Sequence, residues 1–376
     1  MKQMYLYIFI LFLISNSCID KKGVKKIDVP IISIDTKDNN IISDSPALTN
    51  IHYVKLETKD ECLLEDITKV IPFEDKLYIL TSLGQGNIFI FDNNGIFINK
   101  INKSDGPEDI IYPTDIAINS DKKHLLILDF YRNIKEYDLN GNFIKKTSIK
   151  EPFLALESIG NDYLLFDSNT RSKANYYVRY LTETSKNKDF FSKVLKGKLF
   201  YSSNFFTKLN EDKVLVSCIL SDTIFYITKT QKELLPYIVF DFHDKNANKK
   251  QRLDEINDIG EYYKNAKEHN YVTGPSDFSV INDNLFFTLN SGEDYYFAKY
   301  NTKNNKISLH KTLLEGLPNR YRSVGRTNKE VVYAIDMPHL IEYFKENPQN
   351  NSSIIKQLKR KCNNEDDNPI LLFGSF

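Results

Sequence analysis

Glu74-Asp75-Lys76-Leu77-Tyr78-Ile79-Leu80 is a polar turn followed by a short apolar strand, and the pattern returns five more times. The copies are Lys122-Lys123-His124-Leu125-Leu126-Ile127-Leu128, Gly160-Asn161-Asp162-Tyr163-Leu164-Leu165-Phe166 and Glu211-Asp212-Lys213-Val214-Leu215-Val216-Ser217. Two more follow, Asn282-Asp283-Asn284-Leu285-Phe286-Phe287-Thr288 and Asn328-Lys329-Glu330-Val331-Val332-Tyr333-Ala334. Their first apolar residues (Tyr163 in the third copy) lie 48, 38, 51, 71 and 46 residues apart. A strand that repeats every 40–50 residues or so predicts a β-propeller, in which each blade is one four-stranded sheet. The fold expected is therefore all-β, a six-bladed β-propeller with four-stranded antiparallel blades.

Around the first copy the remaining strands of a blade can be read: 67–71 as the inner strand, 87–92 as the third and 96–101 as the fourth. The second copy repeats the order with 115–118, 125–128, 134–138 and 142–146. Between third and fourth strands stand Asp92-Asn93-Asn94-Gly95 and Asp138-Leu139-Asn140-Gly141, 46 residues apart. Asp accepts backbone N–H groups and Gly takes the positive φ, so both read as hairpin turns. They lack the alternating oxygen ligands of a calcium loop. Apolar strands at 51–57 and 369–374 have no blade of their own, so the two chain ends are expected to complete one blade together and close the ring. That leaves no open sheet edge. The 71-residue gap holds a polar insert at 243–274, in which Ile256, Ile259, Tyr263 and Ala266 space one face of an amphipathic helix.

Fifty basic residues balance fifty acidic ones among 376, and the charges are interspersed, so no global field recruits nucleic acid. Tyr and Phe together number 48 and Trp is absent. This usage suits packed sheets. The N-terminus reads as a targeting segment: Lys2, then an apolar run of eleven over 4–14, too short to span about 30 Å of hydrocarbon. Ser15, Asn16 and Ser17 lead to Cys18. This resembles a bacterial lipoprotein signal, in which Cys18 becomes lipidated. Ser15 departs from the leucine commonest at that position, and an ordinary cleaved secretory signal is the other reading. The resulting division is 1–17 signal peptide, 18–50 lipid anchor and tether, and 51–376 propeller. Cys62, Cys218 and Cys362 remain, with no Cys-x-x-Cys, so neither a zinc site nor a disulfide framework is implied. Cys218 reads as a buried apolar side chain, and Cys62 and Cys362, near the two ends of the fold, are candidates to pair.

Several segments together resemble a known family: 53–58, 64–70, 76–80, 89–95, Ser104-Asp105-Gly106-Pro107-Glu108, Asp129, 137–144 and Asp367-Asn368-Pro369-Ile370-Leu371-Leu372-Phe373. In that order they are similar to the six-bladed β-propeller lipoproteins of Bacteroidetes, distantly similar to NHL-repeat propellers. The resemblance covers nearly the whole mature chain. It departs at Gly106-Pro107-Glu108, where the family often carries a longer glycine-rich version. It implies the fold and an outer-membrane location at the cell envelope, periplasmic or surface-facing, and implies little about activity. Ile19 after Cys18, in place of the aspartate of inner-membrane retention, favours the same destination.

No nucleophile elbow, His-Glu-x-x-His motif or phosphate-cradling glycine loop is present, and the six histidines have no ligand spacing. No catalytic residue, metal or cofactor is therefore assigned. Loops after each second strand share one face of a propeller, and from them come candidate ligand contacts: Gln85, Asp129, Tyr131, Arg132, Arg171, Asp222, Glu293, Asp294 and His339. Arg forks to carboxylates and aromatic faces stack, so such a rim suits a glycan, a peptide or an envelope protein. Taken one at a time each reads as a solvated turn residue, and it is the convergence of six loops on one face that raises the group above its members. A lyase or hydrolase of glycans or peptides is the alternative. It would need channel carboxylates, for which Asp115, Glu157 and Asp277 on inner strands are candidates. A purely structural envelope component is the third reading.

Overall fold

A computed structural model describes residues 29–375 apart from 82–85, 103–109, 131, 168–175, 194, 196–204, 219, 315–316, 318–322, 351 and 363. The N-terminal segment with Cys18 and the loop residues Gln85, Tyr131 and Arg171 lie outside the described residues. Three short strands come first, β1 (Ile31–Ser33), β2 (Ile42–Ser43) and β3 (Ile51–Lys55). Four-stranded antiparallel sheets follow. The first holds β4 (Ile67–Phe73), β5 (Lys76–Thr81), β6 (Ile88–Asp92) and β7 (Phe97–Ile101). The second holds β8 (Pro113–Asn119), β9 (His124–Asp129), β10 (Asn133–Asp138) and β11 (Phe143–Ser148).

The third holds β12 (Ala155–Ile159), β13 (Asp162–Phe166), β14 (Tyr176–Leu181) and β15 (Asn187–Ser192). The fourth holds β16 (Phe206–Asn210), β17 (Lys213–Val216), β18 (Thr223–Thr228) and β19 (Leu235–Asp241). The fifth holds β20 (Val272–Ile281), β21 (Asn284–Ser291), β22 (Asp294–Asn301) and β23 (Lys306–His310). A final set, β24 (Ser323–Arg326), β25 (Val331–Ile335) and β26 (Ile370–Gly374), is completed by β3, in the order β24-β25-β26-β3.

The apolar strand quoted at the outset is in every case the second of its sheet, where it is flanked on both sides and almost wholly buried. The two Asp-to-Gly turns form as read. Asp92 Oδ1 accepts the N–H groups of Asn94 and Ile96 at 2.9 and 2.8 Å, with Gly95 at φ 84°. Asp138 Oδ1 does the same for Asn140 and Asn142, with Gly141 at φ 92°.

Apolar side chains from successive sheets interlock face to face. Tyr78, Ile88 and Ile90 of the first sheet meet Ile116, Leu125 and Ile127 of the second, and Leu126 and Leu128 meet Leu156 and Leu165 of the third. Phe166 meets Val214 and Val216, and Ile224 and Phe240 meet Leu285 and Phe287. Phe286 and Phe297 pack on Val331 and Tyr333, and Val332 and Phe373 pack on Leu77, Ile79 and Phe89 of the first sheet. Burying each such side chain contributes roughly 1.5–3 kcal/mol, so the inter-sheet faces hold the fold. The first and final sets also touch at their inner strands, where Gly325 pairs in parallel with Val70. A Cβ on Gly325 would sit 2.1 Å from the Val70 carbonyl oxygen, so only glycine permits that approach.

The chain ends pair with each other: β26 runs antiparallel to β3, from Ile370 opposite Lys55 to Gly374 opposite Ile51. Asn368 fastens this junction. Its Oδ1 accepts Leu64 N–H at 2.8 Å, and its Nδ2 donates to the Glu57 and Cys62 carbonyls at 2.6 and 2.8 Å.

Some expectations are corrected. The part of the tether over 29–50 belongs to the fold: β1 adds in parallel to β19 and β2 to β23, each covering an outer strand edge. Ile32, Ile34, Ala47 and Leu48 are buried, which repays ordering this polar stretch. Cys62 and Cys362 do not pair, because each is buried in a different apolar cluster, and Cys62 Sγ instead donates to the Glu57 carbonyl. The insert carries α1 (Ala247–Lys250) and α2 (Ile259–Glu268), and the latter buries Ile259, Tyr262 and Ala266 against the third and fourth sheets. The helix starts at Ile259, after the Asp258 cap accepts Glu261 N–H, and Tyr262 in place of the expected Tyr263 fills the face that the adjoining sheets bury. Between β25 and β26 lie α3 (Met337–Glu346) and α4 (Ser353–Lys361). No helix among the described residues is long and apolar enough to cross a membrane.

Candidate functional site

A cavity of about 1180 Å³ opens where the first strands end. Its wall is built from β4 (Lys69 to Phe73), β16 (Phe206, Lys208, Leu209), Ile118 of β8, Glu157 of β12, Val280 of β20 and Gly325 with Arg326 of β24. It extends outward between the first and final sets, to Leu77, His52, Val54 and Phe373. The turns between first and second strands form its rim, with Glu74, Ser120, Asn210, Glu211, Asn282 and Asn328. This is the end of the sheets opposite the loops that follow the second strands. The cavity therefore opens on the face that the sequence reading did not choose. A smaller cavity of about 410 Å³ lies by the chain-end junction, lined by Glu65, Asp66, Asp336, Glu365, Asp366 and Asp367.

The charged groups on the inner wall of the large cavity sort into two ion pairs, Lys69–Asp115 and Lys208–Glu211, and two groups outside any ion pair among the described residues, Glu157 and Arg326. Lys69 Nζ meets Asp115 Oδ1 at 2.8 Å. The same carboxylate accepts the N–H groups of Ile116 and Leu156, so Asp115 binds the inner strands of three sheets together. Lys208 Nζ meets Glu211 Oε1 at 2.6 Å and donates to Ser158 Oγ and the Ile118 carbonyl at 2.7 and 2.9 Å. Glu157 Oε1 accepts Ser158 N–H at 2.9 Å. Arg326 Nη1 donates to Thr207 Oγ1 at 2.8 Å, and Thr207 in turn donates to the Phe278 carbonyl at 2.7 Å. Among the described residues the Arg326 guanidinium has no other hydrogen-bond partner and no ion pair. Burial pulls its guanidinium down to about 10, opposed by the neighbouring Glu157 carboxylate, and it stays charged at neutral pH.

The channel candidates Asp115, Glu157 and Asp277 fall on the inner strands β8, β12 and β20, and of these Glu157 lines the cavity. Asp115 is held by Lys69 and backbone, and Asp277 sits at φ 48° in a strand whose register shifts there.

Six of the nine loop candidates are among the described residues, and each has its own local setting. Asp129 is fully buried, facing Lys135 at 3.5 Å and accepting Ile111 N–H, so it fixes the second sheet and is removed from a ligand-facing role. Asp222 accepts from Asn246 Nδ2 at 3.0 Å and anchors the insert. Asp294 is held by Lys311 at 2.8 Å, Glu293 is exposed beside Lys267 at 2.9 Å, and Arg132 is exposed in a turn at φ 67°. His339 is exposed on α3, 3.6 Å from Asp336. Lys69, Lys208 and Arg326 were not singled out from the sequence. The available signal was a cation interrupting the apolar alternation of each first strand, in Ile67-Thr68-Lys69-Val70, Phe206-Thr207-Lys208-Leu209 and Ser323-Val324-Gly325-Arg326.

Comparison with solved structures finds a protein of Bacteroides fragilis described as exported, 20% identical, with TM-score 0.73 over 92% of this chain and 99% of that one. At that identity the likeness shows the fold alone. The WD40 repeats of RRP9 match at 12% identity and TM-score 0.43, over 88% of this chain and 99% of that one. BamB from Moraxella catarrhalis matches at 10% and 0.39, over 76% of this chain and 70% of that one. A comparison with curated proteins finds no match. The family model described as Domain of unknown function (DUF4934) matches residues 29–375, which is the whole span of sheets from β1 to β26, and the chain belongs to that family.

Proposed function

We infer that this chain is a lipid-anchored β-propeller of the cell envelope, six blades closed into a ring by the β3–β26 pairing. It acts as a binding or scaffold module for a glycan, peptide or protein partner, through the axial cavity. The observation that carries the reading is that cavity of about 1180 Å³, lined by first strands of successive sheets with charged groups turned into it. A concave site with a few convergent polar groups on a rigid frame is the usual form of a ligand pocket. The exported character of the Bacteroides fragilis relative is in keeping with an envelope location.

A glycan array and a peptide library probed with purified full-length protein test the reading. Ser120→Trp, placed on the rim, is expected to abolish binding of any hit, while an Arg132→Ala/Glu293→Ala double variant on the other face leaves it intact. The reverse result would move the site to the loops after the second strands. For the anchor, Cys18→Ser is expected to shift the protein from the membrane fraction to the soluble one. A variant that stays with the membrane would remove the lipid from the proposal.

A further inference from the structure

We propose that Arg326 is the ligand-recognising group of the axial cavity and that the ligand is an acidic oligosaccharide, one whose sugar ring carries a carboxylate. The inference rests on the cavity being the binding site. Its first support is the distribution of charge. Lys69 and Lys208 are held by Asp115 at 2.8 Å and by Glu211 at 2.6 Å, whereas Arg326 has no ion pair among the described residues; the Glu157 carboxylate acts on it only from beyond ion-pair distance and leaves the guanidinium edge open. Of its N–H donors one is used, on Thr207 Oγ1. The remaining edge of a planar, partly desolvated guanidinium is matched by two carboxylate oxygens in a fork, a geometry an ammonium group cannot reproduce. The bond to Thr207, itself tied to the Phe278 carbonyl, holds the guanidinium in place before the ligand arrives and so reduces the ordering cost of binding.

The second support is the rest of the lining. Asn282 and Asn328 stand on the rim with no side-chain partner among the described residues, and each amide offers a donor and an acceptor from one plane. That pairing suits vicinal hydroxyls. Pro72 and Phe73, half-buried on the lining, supply apolar surface for the C–H face of a sugar. An acidic peptide would satisfy Arg326 and the rim amides alike, but its charged side chains have no use for the apolar surface of Pro72 and Phe73, which fits the C–H face of a sugar, so the sugar is favoured.

Isothermal titration of the full-length protein with trigalacturonate, its methyl ester and tetraglutamate tests this. Trigalacturonate is expected to bind, and the methyl ester to bind at least about tenfold more weakly, the loss of one charge-assisted fork. Arg326→Ala is expected to lose the same factor for the acid and nothing for the ester. Arg326→Lys keeps the charge and the fold, and is expected to lose affinity for the acid for want of the fork. Melting temperatures of both variants distinguish lost binding from lost fold. Equal affinity for acid and ester, or unchanged affinity in both variants, overturns the carboxylate role. If Ser120→Trp still abolishes binding in that case, the cavity stands and only this inference falls. Binding of tetraglutamate in preference to trigalacturonate overturns the sugar assignment, as does the absence of binding by either.

Discussion

Glu136 is a buried carboxylate whose bonds are all made to other groups of the fold. It is buried on β10 and receives three bonds: His124 Nδ1 at 2.9 Å, Tyr163 Oη at 2.7 Å and Lys145 Nζ at 3.1 Å. Burial alone would raise its carboxyl, but the bonds from His124, Tyr163 and Lys145 outweigh it and hold the group below the usual 4.5. A carboxylate depressed by folding adds stability that is present above its unfolded value and lost as pH falls through the folded one. Urea unfolding between pH 3 and 7 should therefore show stability declining below about pH 4.5. Glu136→Gln should flatten that acid limb and cost about 2 kcal/mol at pH 7. An acid limb of unchanged slope in the variant would assign the decline to other carboxylates. No residue pattern in the sequence announces this cluster, because His124, Glu136 and Lys145 meet only when β9, β10 and β11 pair, and Tyr163 of β13 joins them only when the third sheet stacks on the second.

At the scale of elements, legibility follows the range of the interactions that make each one. The hairpins were readable because their determinants are local: Asp92 and Gly95, or Asp138 and Gly141, act within four residues of themselves. The second strands were readable because they are buried on both faces and so read as unbroken apolar runs. By contrast β1 and β2 looked like a tether. Ile31-Ile32-Ser33 and Ile42-Ser43 are short, and nothing local makes them strands. They are strands because β19 and β23 leave outer edges that a passing chain can cover, at positions about 200 and 270 residues downstream. The same contrast separates α2, whose cap and apolar spacing are local, from the choice of Tyr262 over Tyr263 as its buried face, which the adjoining sheets impose.

At the scale of the whole molecule the two chain ends meet in one sheet, and Asn368 is the bolt. Its side chain serves one N–H and two carbonyls from the 57–64 segment while itself only 2% exposed. Asn368→Ala would strand those buried groups, at a cost of about 2–4 kcal/mol. The loss should appear as a lower urea midpoint with an unchanged slope. A midpoint within experimental error of the unaltered protein would mean that β3 and β26 hold the junction without it.

What the sequence determined by itself is the period: strands, turns and their order are fixed by alternation and by hydrogen bonds that reach only a few residues. What only the tertiary structure decided is where the chemistry sits. Asp115 and Asp129, equally exposed to suspicion in the sequence, are consumed by Lys69 and Lys135 once the sheets stack. Arg326, inconspicuous at the end of a four-residue strand, keeps most of its donors facing a cavity. A charge is spent or left available according to which partner packs beside it, and that partner lies on another sheet.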